Sequence, residues 1–249
     1  MISIEELKEV KEKRKTNLYY EEKEYIQYIF LNAISKYHEK FVFKGGTCLR
    51  ICFGLERASE DIDFSINISL DEAKKIIKQC LKDFEYLNIE YKIYSEKEFK
   101  GNLRLEIRFN GPIYSGNKNS SNTLKIDLNK QKSKNTEARV VQKLFSDVPL
   151  FTINVLAEKE ILAEKIRALI NRSESKDFYD LWILFNKGVE IDKTLIQKKL
   201  IEEKSRFSKI RYPLKQEYET SLKNLVNFLP SYEQVLKEVS DKLNSILKN

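Results

Sequence analysis

Lys44-Gly45-Gly46-Thr47-Cys48-Leu49 and, a few residues on, Ser59-Glu60-Asp61-Ile62-Asp63-Phe64 decide how this chain is read. Phe41-Val42-Phe43 is a short apolar strand that runs straight into the glycine pair. Thr47 to Phe53 can make two helical turns before Gly54 stops them. Asp61 to Ile66 is the next strand, and successive side chains on a strand face opposite ways. Asp61, Asp63 and Ser65 therefore share one face, and Ile62, Phe64 and Ile66 take the other. Carboxylates about 6–7 Å apart along one face can converge on a hard cation with oxygen ligands, as Mg2+ prefers. Glycines at the head of a helix let backbone N–H groups approach a phosphate closely. The stretch thus points to phosphate chemistry beside a metal.

Outward from it, the spacing predicts a helix from Leu18 to Tyr37, with Tyr25, Ile26, Ile29, Phe30, Ala33, Ile34 and Tyr37 on one face. Residues 1–17 are charge-dense and offer only the short stripe of Ile4 and Leu7. Ser69 and Glu72 are spaced as a capping box before a helical run from Ala73 to Phe84. Tyr91 to Tyr94 reads as a strand. Leu103, Leu105, Ile107 and Phe109 alternate with Arg104, Glu106 and Arg108, and Leu124, Ile126 and Leu128 alternate with Lys125, Asp127 and Asn129. The two runs read as an antiparallel pair, in which Asp127 by itself is a solvated strand residue. Strand signals stop at Pro149. A helix is expected from Val155 to Ile170, another from Phe178 to Phe185, and two or three more from Lys193 on, broken near Pro213 and Pro230. The expected fold class is α+β: a mixed-sheet domain over residues 1–150 followed by a helical domain over 151–249.

Composition narrows the function classes. At 249 residues the chain can form one large domain or two modest ones. Lys and Arg outnumber Asp and Glu by 45 to 38, a surplus that suits nucleotides or RNA as partners. A lysine-rich genome would give the same number. A single histidine, His38, and the lack of a Cys-x-x-Cys pair argue against zinc. Cys48 and Cys52, four apart, read as packing groups. Residues 1–17 are charged and no apolar run approaches about 18 residues, so neither a signal peptide nor a membrane span is expected and the location expected is cytoplasmic.

Taken together, four motifs resemble those of a known family. Gly45-Gly46-Thr47 with Arg57-Ala58-Ser59-Glu60-Asp61-Ile62-Asp63-Phe64 is similar to the first motif of the AbiEii/AbiGii-type nucleotidyltransferase toxins, which include the MenT group and belong to the DNA polymerase β-like superfamily. Lys125-Ile126-Asp127-Leu128 resembles the family's strand that supplies a third carboxylate. Leu162-Ala163-Glu164-Lys165-Ile166-Arg167 resembles its lysine-bearing helix, and Ser175-Lys176-Asp177-Phe178-Tyr179-Asp180-Leu181 its Arg-Asp-x-Tyr-Asp-Leu motif. Lys176 stands where the family has arginine; it keeps the charge and loses the planar fork.

The resemblance implies transfer of a nucleotide from an NTP to an acceptor with Mg2+, in a pair, as cofactor. Asp61, Asp63 and Asp127 would hold the metal. Gly45, Gly46 and Thr47 would receive the triphosphate, with the Thr47 hydroxyl on a phosphate, and Lys165 would add a cation there. Arg57 and Ser59 would contact the nucleotide or brace the carboxylates. Asp177 would act as general base or orient Lys165, with Arg172 assisting, while Asp180 would tie its helix to the rest of the domain. The helical domain would complete the active site. RNA, such as the tRNA acceptor end, is the expected acceptor, and Lys198, Lys199, Lys204, Arg206, Lys209 and Arg211 suit it. The resemblance also implies a toxin with a cognate antitoxin. A protein hydroxyl as acceptor, and a non-catalytic nucleotide- or RNA-binding module on the same fold, are the alternatives.

Overall fold

The computed structural model describes residues 1–130, 135–204 and 210–247. The chain divides into two compact units, one of Met1–Gly54 with Ala58–Leu156 and one of Leu55–Arg57 with Ala157–Asn249. The fold is α+β, a mixed sheet with a helical C-terminal region, as the sequence predicts.

The first unit is built on a seven-stranded sheet ordered β3-β4-β5-β2-β1-β7-β6. Its strands are β1 (Phe41–Lys44), β2 (Asp61–Ile66), β3 (Glu90–Phe99), β4 (Asn102–Asn110), β5 (Asn122–Asn129), β6 (Thr136–Val141) and β7 (Phe151–Leu156). β1 and β2 are antiparallel, while β2 runs parallel to β5 and β1 parallel to β7. β4 and β5 are the antiparallel pair that the alternating runs predict, and β3, longer than the expected Tyr91–Tyr94, adds antiparallel to β4. The apolar faces of β1 and β2 close on Phe64, whose ring lies 5.6 Å from those of Phe41 and Phe43 and 6.5 Å from that of Phe30.

Helices α1 (Ile4–Arg14), α2 (Leu18–Ile34), α3 (Gly45–Phe53), α4 (Leu70–Cys80) and α5 (Lys82–Tyr86) complete this unit. α1, capped by Ser3, buries Leu7 and Val10, a longer element than the short stripe suggested. α2 buries the predicted stripe as far as Ile34 and several charged groups besides, of which Glu21 and Glu24 are answered by Arg14 at 2.9 Å and Glu24 also by Arg50 at 3.0 Å. α4 starts at Ser69, whose side chain accepts from Glu72 N as the capping spacing requires.

The helix from Leu18 stops at Ile34, short of Tyr37, which lies half-buried in a separate turn over Ser35–Tyr37. Strand signals do not end at Pro149, and Val155 does not begin a helix: Phe151–Leu156 is β7, with Val155 opposite Phe43 of β1 and the whole strand paired to β6. The division between the units consequently falls after Leu156. Phe151, Ile153 and Val155 do alternate with Thr152 and Asn154, but Val155-Leu156 merges with the apolar positions of the next helix and hides the shorter period. β6 escapes the pattern because it is an edge strand whose small and apolar Ala138 and Val140 are exposed while the charged Glu137 and Arg139 are half-buried, so that polarity does not mark the buried face.

The second unit contains α6 (Glu158–Arg172), α7 (Ser175–Asn186), α8 (Lys193–Glu202), α9 (Lys215–Leu222) and α10 (Tyr232–Leu247). Breaks at Pro213 and Pro230 separate the last three, as expected. Phe178 anchors the core, with the rings of Tyr212, Tyr218 and Tyr232 at 5.6, 6.0 and 6.1 Å. Among the described residues no helix is long and apolar enough to cross a membrane.

Candidate active site

The turn from β1 into α3 needs its first glycine for two reasons. Gly45 has φ +81°, a left-handed conformation that costs an ordinary residue. A Cβ built there would also fall 2.9 Å from Asp63 Cγ and closer still to Oδ2. The chain therefore brings the head of α3 against the carboxylate of Asp63, and only glycine permits the approach. The register agrees, since Lys44, the residue before Gly45, lies opposite Asp63.

Asp61 and Asp63 share the half-buried face of β2, with Ile62 and Phe64 fully buried behind them. The parallel neighbour β5 sets Asp127 level with Asp63 and Lys125 level with Asp61. The three predicted carboxylates thus stand on two adjacent strands and on one face, a register that neither strand reveals alone. Asp127 is turned toward β4, where its opposite residue Arg104 donates from Nε and Nη2 to both carboxylate oxygens at 2.7 and 2.8 Å. Among the described residues no group of three His, Cys, Asp or Glu side chains stands close enough to hold a metal ion. Asp61 Oδ1 is a buried acceptor without a hydrogen-bond partner, 4.0 Å from Lys125 Nζ. Burial raises the Asp61 pKa, the nearby Asp127 and Glu60 raise it further, and Lys125 and Arg104 oppose them. A buried, unanswered carboxylate oxygen with its neighbours on one face is a donor set suited to a divalent cation. Asp61 and Asp63 carry the oxygen donors that such an ion prefers, and both oxygens of Asp127 are engaged by Arg104.

Thr47 and Ser59 brace this strand. Thr47 is fully buried; its hydroxyl donates to the Asp61 carbonyl and lies 2.9 Å from Ser59 Oγ. The expected place of that hydroxyl was on a phosphate, whereas here it is engaged within the protein. Gln27 of α2 donates to the carbonyls of Ser59 and Glu60 at 3.1 and 3.0 Å and pins the entry to β2. Sequence reading passed over Gln27 and Arg104. The signal for Gln27 was an amide on the buried stripe of α2; for Arg104 it was a cation on the polar face of the strand beside Asp127.

The second unit gathers the remaining predicted residues. Arg57 is buried and grips Asp180 with Nε and Nη2 at 2.6 and 2.7 Å. Lys165, also buried, lies 2.8 Å from Asp177 Oδ1 and 2.7 Å from Asp180 Oδ2. Arg172 Nε donates to Asp177 Oδ2 at 2.8 Å. Burial would raise both carboxyls, but the cations win: Arg57 and Lys165 hold Asp180 down at about 2, and Lys165 and Arg172 hold Asp177 below the usual range. Burial likewise opposes the charge on Lys165, and Asp180 and Asp177 overcome it. Of the two roles set out for Asp177, this environment suits the orienter of Lys165 and not a proton acceptor. Arg57 holds Asp180 of the helical unit, a partner that neither role set out for it names.

The basic C-terminal residues are not all available. Lys199 is buried and lies 3.0 Å from Glu160 and 3.2 Å from Glu164, so it joins α8 to α6. Lys204 and Arg211 are exposed, while Arg206 and Lys209 lie outside the described residues.

Comparison with known proteins now bears on this arrangement. The family model "Nucleotidyl transferase AbiEii toxin, Type IV TA system" matches residues 29–243. Among solved structures the chain is similar to MenT4, a nucleotidyltransferase toxin from Mycobacterium tuberculosis H37Rv, with a TM-score of 0.76 and 16% identity over 100% of this chain and 91% of that one. It is also similar to JHP933 from Helicobacter pylori, with a TM-score of 0.59 and 20% identity over 91% of this chain and 90% of that one. At such identities the likeness concerns the fold. No curated protein sequence matches. The family match covers most of the chain and includes every motif that carries the carboxylates, the glycine pair and the buried lysine, so this chain belongs to the AbiEii family of nucleotidyl transferase toxins of type IV toxin–antitoxin systems.

Proposed function

We propose that this toxin transfers a nucleotide from an NTP to an RNA acceptor, such as the acceptor end of tRNA, with a pair of Mg2+ ions as cofactor. The observation that carries the reading is the parallel register of β2 and β5, which sets Asp127 level with Asp63 on the face that also holds Asp61. Asp61, Asp63 and Asp127 would hold the metal, which supplies activation of the attacking hydroxyl and neutralisation of the leaving pyrophosphate. Gly45 and Gly46, at the head of α3, offer backbone N–H groups to the triphosphate. Thr47, Ser59 and Gln27 keep β2 in place beneath them. The role of Lys165 as the cation for the triphosphate rests on the family motif; Asp177 and Asp180 keep it charged and fixed. Arg57 serves by holding Asp180.

The surplus of 45 Lys and Arg over 38 Asp and Glu favours RNA as acceptor. The family implies a cognate antitoxin, and the cytoplasm is the place where NTPs, RNA and that partner meet. The test is incubation of the full chain with labelled NTPs, Mg2+ and total RNA beside the Asp61→Ala, Asp63→Ala double variant. Label on RNA with the wild type alone is the expected result. No transfer above the double variant overturns the enzymatic reading for these acceptors, and label on protein in place of RNA reassigns the acceptor to a protein hydroxyl.

A further inference from the structure

Arg104 stands apart from the motifs, yet it holds the residue on which the metal site depends. Its guanidinium binds both oxygens of Asp127 in a two-pronged contact at 2.7 and 2.8 Å, the geometry in which arginine matches a carboxylate best. Each oxygen of Asp127 thereby accepts one hydrogen bond from β4. Asp61 shows the complementary pattern, since its Oδ1 is buried without a hydrogen-bond partner. The charge on Arg104 is favoured first by its hydrogen bonds to Asp127, and the charges of Asp127, Asp61 and Asp63 all add to it. One protein cation thus sits in the field of all three carboxylates. The Arg104 side chain is 52% exposed against 16% for Asp127, so the arginine is the partner free to swing into solvent while the carboxylate stays.

We propose that Arg104 is a positioning residue that competes with the metal for Asp127, so that the three-carboxylate site assembles only when Arg104 is displaced. The inference rests on the reading of Asp61, Asp63 and Asp127 as metal ligands. It accounts for two facts together: the register supplies three carboxylates on one face, and no three of the described side chains converge. A half-exposed ion pair is weak enough to yield to a divalent cation held by carboxylates. Arg104 then acts as a stand-in cation that lowers the affinity for metal without touching the metal itself.

The test measures Mn2+ binding to the full chain, without nucleotide, by the loss of the free-ion EPR signal. Arg104→Ala should tighten Mn2+ binding about three- to tenfold, the factor that loss of one half-exposed pair from the metal-free form allows. Removing any nearby positive charge would also favour a cation, so Lys97→Ala is the control. Lys97 is the exposed register partner of Arg104 on β3 and carries the same charge without the contact to Asp127. It should leave the affinity within about twofold of wild type, beyond the range of a screened surface charge. In an Asp127→Asn background Arg104→Ala should have no effect, and unchanged thermal melting establishes that each variant is folded. Equal affinity in wild type and Arg104→Ala overturns the proposal and leaves the metal reading intact, as does equal tightening by Lys97→Ala. Failure of every folded variant to bind Mn2+ overturns both.

Discussion

Arg57→Met should expose how the helical unit keeps its charges buried. The Arg57 side chain is 3% exposed and its partner Asp180 is fully buried, and the variant keeps the apolar stem while removing the two donors at 2.6 and 2.7 Å. Stranding one member of a buried pair costs about 3–5 kcal/mol, and the lower end applies because Lys165 Nζ remains 2.7 Å from Asp180. The pH dependence identifies the cause. Asp180 is held down at about 2 in the folded chain, against about 3.9 when unfolded, which corresponds to about 2.5 kcal/mol. A depressed carboxyl stabilises the fold above its unfolded pKa, and the contribution is lost as pH falls from about 4 through about 2. Without Arg57 the carboxyl rises, and much of that contribution is already missing at neutral pH. The gap between wild type and variant should therefore be widest near pH 7 and narrow steadily below pH 4. Urea unfolding followed by circular dichroism at a series of pH values measures it. Adding Asp180→Asn to Arg57→Met should recover part of the loss, since a neutral amide is cheaper to bury than an unmatched carboxylate. A cost below about 1 kcal/mol at neutral pH, or a gap that stays constant down to pH 2, refutes the reasoning.

Three further perturbations test the sheet unit. Gly45→Ala should lower stability by about 1–2 kcal/mol from its left-handed backbone alone and, by driving a methyl group into Asp63, weaken Mn2+ binding as well; thermal melting and EPR read the two effects separately. Gln27→Ala withdraws the donors to the Ser59 and Glu60 carbonyls and should cost about 1–3 kcal/mol in urea unfolding, with no change if solvent takes over those bonds. Phe64→Ala removes the ring packed among Phe30, Phe41 and Phe43 and should cost about 3–5 kcal/mol, a loss in which the far-UV spectrum of the surviving fold stays the same.

Much of the fold was legible because local periods and global packing agree. Ile62 and Phe64 are buried and Asp61 and Asp63 half-buried, as strict alternation requires, and the β4–β5 pair follows from two alternating runs joined by a polar loop. β7 was lost because its alternation adjoins a helix of similar composition, and β6 because an edge strand has little to bury. The site was legible in its residue types but not in its contacts. Side-chain spacing fixes the face of Asp127, whereas the register that sets it beside Asp63 and opposite Arg104 depends on how three strands align. Thr47 shows the same limit from the other side: a threonine after two glycines suits a phosphate, but burial turns its hydroxyl to the backbone of β2.

The two groups of acidic residues in the motifs look alike in sequence and differ in their electrostatic environment. Asp177 and Asp180 are surrounded by Lys165, Arg57 and Arg172, and both carboxyls are pulled below their ordinary range despite burial. Their charges are matched by side chains, so a metal ion would gain little there and would have to displace buried, hydrogen-bonded cations. Asp61 is pushed the other way, chiefly by burial, with Lys125 at 4.0 Å opposing that push and Asp127 and Glu60 adding to it. A carboxylate left in that condition is stabilised by any added positive charge, and a divalent cation supplies the most in the least space. Asp-x-x-Asp on α7 is thus a network already matched by protein cations, while Asp-x-Asp on β2 is the pair on which the proposed metal reading rests. The cations that decide between the two roles, Arg57, Lys165, Arg172 and Arg104, come from other elements or other turns, which is why acidic spacing alone does not separate metal ligands from braces.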